Sequence, residues 1–232
     1  MTQSLFPSPE WPTIAVKGET AVYPIHRIFC VGRNYAAHAA EMGVEVDREA
    51  PFYFTKSALA LHRSGEAVAY PPGTANFHYE MELVIAIGAP VFKADRAAAA
   101  AAIFGYACGL DMTRRDLQLD ARAKQRPWDL GKDVEESCVL APITRAGQFG
   151  AIGPQRIHLT VNGEVRQDAH LSDLIWQVDE IVSHLSGFYH LQPGDIVMTG
   201  TPAGVGPVVP GDVIIGAIDG LEPVSLEIRP AE

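Results

Sequence analysis

Glycine and proline punctuate this chain from end to end, 21 and 17 of them among 232 residues. Together they make up about 16% of the chain, against a usual ~12%. Each one interrupts or bends regular backbone, so long helices have little room to form. The pattern predicts a loop-rich, strand-dominated α+β fold with few helices and argues against a helical bundle. The longest uncharged stretch, residues 97–110, runs between Arg96 and Asp111. It is shorter than the roughly 20 residues a membrane helix needs and reads as buried core.

The elements follow from this punctuation. Residues 13–16 and 21–23 flank Lys17-Gly18-Glu19 as a hairpin, and residues 26–31 form an apolar strand ending at Gly32. Asn34 is placed to cap a short helix over residues 35–42, closed by Gly43. Short strands are expected at 51–55 and 67–70, and the clearest buried strand at 80–87. Residues 96–102 and 114–124 read as helices around a strand at 103–110. Asn162-Gly163 is the strongest hairpin signal. Ser172 can cap a helix carrying Leu174, Ile175, Val178, Ile181, Val182 and Leu185 at helical spacing. No linker calls for a division of the chain beyond an N-terminal extended and hairpin segment, residues 1–24, and one domain over residues 25–232.

Charge narrows the partners. With 18 basic and 28 acidic residues the net charge is −10, which sets aside nucleic acid and charge-held membrane binding. Cys30, Cys108 and Cys138 form no C-x-x-C pair and suit a reducing, cytoplasmic setting. Residues 1–12 lack the basic and apolar regions of a secretory signal. The chain has no G-x-S-x-G, P-loop or H-E-x-x-H pattern.

Several groupings could carry chemistry. Glu80 and Glu82 sit at i and i+2 on a strand, so their carboxylates share one face. On a buried face they need compensation, which a hard divalent cation would give; alternatively the strand end is wet. Asp111, emerging after the uncharged stretch, is a third candidate ligand or a helix cap. His38 and Glu41, at i and i+3, could form an imidazole–carboxylate base, or lie on an ordinary surface turn. Arg114, Arg115, Arg122, Lys124, Arg126 and Lys132 cluster within 19 residues, as a solvated face or as a site for an anionic small molecule. The turn from Thr199 to Gly206 offers hydroxyl and backbone N–H donors after a strand.

Taken together these blocks resemble the fumarylacetoacetate hydrolase family, in its acylpyruvate and fumarylpyruvate hydrolase branch. The resemblance rests on Gly32-Arg33-Asn34-Tyr35 through His38 and Glu41, on His78-Tyr79-Glu80-Met81-Glu82, and on Leu110-Asp111-Met112-Thr113 through Arg115 and Gln118. Arg126-Pro127-Trp128, Gly131-Lys132, Val161-Asn162-Gly163-Glu164 and Thr199-Gly200-Thr201-Pro202 continue it. It implies a mixed β-roll or distorted β-barrel whose domain over residues 25–232 is catalytic, a homodimer, and Mg²⁺ or Mn²⁺ on Glu80, Glu82 and Asp111. It implies that His38 and Glu41 activate water and that Lys132 and Gln118 stand near the reacting carbonyl. Arg33, Lys56, Arg115 and Thr201 would line the substrate site. The implied substrate is a small anionic dioxo acid, above all 3-fumarylpyruvate, cleaved to fumarate and pyruvate in gentisate-type aromatic catabolism. Decarboxylation of oxaloacetate, isomerisation or decarboxylation of a ring-cleavage dioate, and a non-catalytic metal-holding role are the alternatives on the same scaffold. Ser57, Tyr79 and the acidic Asp133-Val134-Glu135-Glu136 depart from the usual pattern.

Overall fold

A mixed sheet forms the spine. The computed structural model describes residue 5 and residues 10–41 and 50–232. In spatial order the sheet runs Phe52–Lys56, Arg27–Gly32, Asp195–Met198, Met81–Ile87, Ile103–Asp111, Cys138–Leu140 and Leu61–Arg63, with Thr144–Arg145 also pairing with Ile103–Asp111. Two pairings are parallel, Arg27–Gly32 with Asp195–Met198 and Leu61–Arg63 with Cys138–Leu140; the rest are antiparallel. A second, five-stranded sheet orders Glu164–His170, Arg156–Val161, Val213–Ile218, Val224–Arg229 and Ala67–Ala69. The strand-dominated α+β expectation therefore holds, with short helices only among the described residues.

Both faces of the central strands are buried. Met81, Leu83, Ile85 and Ile87 point into a core shared with Ile157, Leu159, Ile214, Val224 and Leu226 of the second sheet, and with Val178, Ile181, Val182 and Leu185 of a flanking helix. Val84 and Ala86 point the other way, into a core with Ile28, Cys30, Ala107, Leu140, Ile196 and Met198. The expected N-terminal hairpin forms as Thr13–Ala15 against Val22–Pro24, and its Ile14 and Tyr23, with Val16 beside it, enter that second core. No helix among the described residues is long and apolar enough to cross a membrane.

Two expected caps are corrected. The first helix, α1 (Ala36–Glu41), does not take its cap from Asn34. The Asn34 amide is buried and bridges distant backbone instead: Nδ2 donates to the carbonyls of Trp176 (3.0 Å) and Thr199 (2.8 Å), and Oδ1 accepts from Trp176 N–H (2.7 Å). Met42 and the expected closing Gly43 lie outside the described residues. The helix assigned to a Ser172 cap begins later, at Val178–Ser186, with a capping box of Gln177 and Glu180. Leu174 and Ile175 precede it; Leu174 is buried and bridges to Tyr35, so apolar spacing there reflects packing and not helix.

Candidate metal and substrate site

Register assembles three carboxylates on one face. In the antiparallel pair Met81 faces Leu110 and Glu82 faces Gly109, so Glu80 lies opposite Asp111, and Asp111 N–H donates to the Glu80 carbonyl at 2.9 Å. Residues directly opposite on antiparallel strands point to the same side. Glu80, Glu82 and Asp111 thus extend the row of Val84 and Ala86, at the end where the apolar core gives way to a cleft. These residues are 5%, 2% and 0% exposed, which excludes the wet strand end. One oxygen from each lies within 4.8 Å of the others.

Cations from three elements converge on this row. Two are carried on short helices, α3 (Arg115–Ala123) and α4 (Asp129–Lys132). Arg115 donates to Glu80 Oε1 and to Gln118 Oε1. Lys132 Nζ donates to Glu80 Oε2 (2.7 Å), Asp111 Oδ2 (2.7 Å) and Thr113 Oγ1 (2.8 Å). An ammonium has three hydrogens, so two hold the carboxylates and the third holds the Thr113 hydroxyl. Gly131 permits this, because a Cβ there would sit 2.8 Å from the Gln118 backbone N and Cα. Lys56, expected to line the substrate site, is revised to a supporting position. Its ammonium is enclosed by the carbonyls of Met112 and Lys132 and by Ser137 Oγ, and pairs with Asp111 Oδ1 at 2.9 Å. That last contact is off hydrogen-bond direction, leaving Asp111 Oδ1 without a donor.

The electrostatics are uneven. Burial alone would raise the Glu80 carboxyl, but Lys132 and Arg115 outweigh it and hold the group well below its usual range. Lys132 is likewise held above its usual value: burial lowers it, and Asp111 and Glu80 more than compensate. Glu82 is pushed well up, first by burial and then by Asp111 and Glu80. Its partner is the N–H of Gly200, at 2.7 Å. Gly200 holds φ +94°, and a Cβ there would meet Asn34 Cβ at 2.8 Å, so only glycine lets this backbone reach the carboxylate. A buried all-oxygen triad with a donorless Asp111 oxygen and a poorly compensated Glu82 fits a divalent cation.

The remaining expected residues surround one cleft. His38, Arg33, Gln118, Arg115, Thr201 and Lys132 line it together with Glu80 and Glu82. His38 is buried on α1, with Nδ1 3.2 Å from Glu41 Oε2, and the Gly204 N–H donates to both Glu41 oxygens at 3.2 Å. Since Gln118 Oε1 accepts from Arg115, what the amide offers the cleft is its NH₂ donor. Phe52, Phe54 and Trp128 wall the cleft, with Trp128 edge-on to Phe52 at 5.5 Å.

Three supporting residues had no role assigned from sequence, although His78 lies in a block that carries the resemblance. Gln167, 0% exposed, accepts from Met81 N–H (3.0 Å) and donates to Thr201 Oγ1 and the Pro202 carbonyl (both 2.8 Å). His78 accepts from Arg115 Nε at 3.5 Å; burial and then the Arg115 charge lower it to about 4, so it is neutral beside that guanidinium. Ser137 holds Lys56. Gln167 sits in a polar-looking strand, where no local signal marks it.

The chain matches the family described as fumarylacetoacetate (FAA) hydrolase C-terminal over residues 27–228 and belongs to that family. It is 54% identical over 193 residues to the fumarylpyruvate hydrolase of a Ralstonia species, covering 82% of this chain and 100% of that protein. It is 37% identical over 206 residues to an oxaloacetate tautomerase of Escherichia coli K12, covering 88% and 93%. The crystal structure of fumarylpyruvate hydrolase from Pseudomonas aeruginosa in complex with Mn²⁺ and pyruvate aligns with a TM-score of 0.95 at 45% identity, over 98% of this chain and 100% of that one.

Proposed function

We propose that this chain hydrolyses the carbon–carbon bond between C3 and C4 of a 2,4-dioxo acid, with 3-fumarylpyruvate as substrate and fumarate and pyruvate as products. The observation that carries this reading is one cleft joining a buried carboxylate triad to the His38–Glu41 pair and the Gln118 amide. Likeness to two fumarylpyruvate hydrolases supports the substrate. The family resemblance extends the reading to a cytoplasmic homodimer.

Glu80, Glu82 and Asp111 would hold Mg²⁺ or Mn²⁺, which supplies Lewis-acid charge for the oxygens at the pyruvoyl end. Glu41 at Nδ1 orients the His38 ring and leaves Nε2 to take a proton from water. The hydroxide adds to C4, and the Gln118 NH₂ donates to the oxyanion that forms. Lys132 and Arg115 keep the carboxylate row ionised and fixed, and Lys132, which also lines the cleft, would stand beside Gln118 near the reacting carbonyl. The C3–C4 bond then breaks, its electron pair passes to C3, and protonation there gives pyruvate; the acyl fragment leaves as the carboxylate.

The test is a panel of fumarylpyruvate, maleylpyruvate, acetylpyruvate and oxaloacetate, with and without Mg²⁺ or Mn²⁺, following loss of enol absorbance and release of pyruvate. Fumarylpyruvate should be cleaved, and the Glu82→Ala and His38→Ala variants should each lose turnover, with only the former losing cation binding. Activity surviving exhaustive chelation would overturn the cation assignment. Turnover of oxaloacetate alone, insensitive to His38→Ala, would favour the tautomerase-like chemistry of the 37% relative.

A further inference from the structure

The six cations between Arg114 and Lys132 do not share one task. Arg115 and Lys132 hold the carboxylate row. Arg114 donates to the carbonyls of Leu130 and Pro72, and Lys124 pairs with Asp120 on the surface. Arg122 also lines the cleft, further along the same helix.

Helix geometry says where along the cleft it stands. Arg115, Gln118 and Arg122 are spaced three and four apart on α3, so they form one stripe, and all three line the cleft. At 1.5 Å of rise per residue, Arg122 lies about 10 Å along the axis from Arg115. Arg115 is bound to Glu80, so the Arg122 end is the end far from the triad.

A second guanidinium meets it there. Arg33 follows the Arg27–Gly32 strand in a left-handed conformation (φ 59°), and its guanidinium lies 5.2 Å from the Phe52 ring centroid, inside the same cleft. Burial and then the charge of Arg122 lower the Arg33 pKa, as expected of two like charges brought near each other. The flat rings of Phe52, Phe54 and Trp128 line the same cleft. Two converging guanidinium groups gain most from a carboxylate between them.

We propose that Arg33 and Arg122 form a second anion subsite, at the end of the cleft away from the carboxylate triad, that takes the far carboxylate of a dicarboxylic substrate. The proposal rests on the acylpyruvate reading above and deepens it, because it selects dianionic acyl groups over acetyl. A seven-carbon chain places its end carboxyls roughly 8 Å apart at ordinary bond lengths, comparable to the ~10 Å of helix rise from Arg115 to Arg122.

The experiment separates the subsite from the reaction. The full-length protein with Mg²⁺ is titrated calorimetrically with 2-oxoheptanedioate and with 2-oxoheptanoate, two seven-carbon 2-oxo acids that differ only in the far carboxylate and carry no C4 carbonyl to cleave. The wild type should bind the diacid at least tenfold more tightly. Arg122→Gln and Arg33→Gln should each shrink that ratio tenfold, with Arg122→Lys retaining part of it. In turnover, the ratio of kcat/KM for fumarylpyruvate to that for acetylpyruvate should fall 10- to 100-fold in Arg122→Gln, mainly through KM. Equal affinity of the wild type for both acids, or a preference untouched in folded Arg122→Gln, would overturn the subsite. A wild type that prefers the diacid but cleaves no acylpyruvate would instead overturn the reaction assignment and leave the subsite standing.

Discussion

Replacing Gln167 by Met tests whether the second sheet fixes the site. Methionine nearly conserves volume, so little cavity follows. Three hydrogen bonds are lost: Met81 N–H to Oε1 at 3.0 Å, and Nε2 to Thr201 Oγ1 and to the Pro202 carbonyl at 2.8 Å each. Met81 is 0% exposed, so its N–H has no water to turn to. An orphaned buried donor costs about 1–3 kcal/mol, and the stranded Pro202 carbonyl adds about 1. The sum, about 2–4 kcal/mol, should lower Tm by roughly 5–15 °C in a domain of this size. Met81 also lies between Glu80 and Glu82, so loosening it should weaken divalent-cation affinity by roughly tenfold or more. Thermal melts with and without Mn²⁺, together with calorimetric Mn²⁺ titration, read both effects. A Tm within 2 °C of wild type, taken as about the smallest shift one kcal/mol gives, would refute the burial argument. A clear fall in Tm with unchanged Mn²⁺ affinity would refute the link to the site.

Three further outcomes follow from the same contacts. Gly131→Ala puts a Cβ 2.8 Å from the Gln118 backbone, forcing α4 from α3; kcat should fall at least tenfold as Lys132 leaves Glu80 and Asp111, while stability drops only about 1–3 kcal/mol, as assayed by kinetics and urea melts. Cys30, Cys108 and Cys138 are all buried, and burial raises each thiol, Cys108 and Cys138 to about 12; a thiol reagent at pH 8, about half a unit below the pKa of a free cysteine, should therefore titrate none in the native protein and all of them in denaturant. Burial tends to raise Asp116, but donation from Thr74, Ala75 and Leu117 lowers it overall. Its folded pKa then lies below its unfolded one, so its stabilisation is present above about pH 4 and fades as pH falls through the folded value. The Tm gap between wild type and Asp116→Asn should close in acid; a gap that widens there would reverse the assignment.

What could be read from sequence was local or repetitive. The apolar run after Glu82 and the uncharged stretch before Asp111 became the paired central strands Met81–Ile87 and Ile103–Asp111. Asn162-Gly163 became the turn joining Arg156–Val161 to Glu164–His170, with φ of 52° and 81°. The caps at Asn34 and Ser172 failed because a side chain that suits a cap locally is taken by a stronger non-local demand, or because the helix starts where packing begins. Alternation could place Glu80 and Glu82 on one face but could not say that the face is dry, since that depends on what covers it. Gln167 was invisible for a sharper reason. Its neighbours Arg166 and Asp168 are equally polar and exposed, and only the neighbouring sheet makes it the buried member.

The buried charges themselves discriminate between a working site and an inert relic. Glu80, Glu82, Asp111, Lys56, Arg115 and Lys132 are all no more than 5% exposed. Burying ions costs several kcal/mol each, and apolar residues of similar volume often serve stability as well or better. A chain retaining this cluster for packing alone would gain by losing it. Nor is the cluster internally complete: Glu80 is doubly held by cations, whereas Glu82 has the Gly200 N–H and the charge of Lys132 against burial and two repelling carboxylates, which prevail. The deficit falls on a carboxylate that lines the same cleft as His38 and Gln118. A cation there would complete the charge balance at the point where substrate enters, which favours a catalytic role over a structural one.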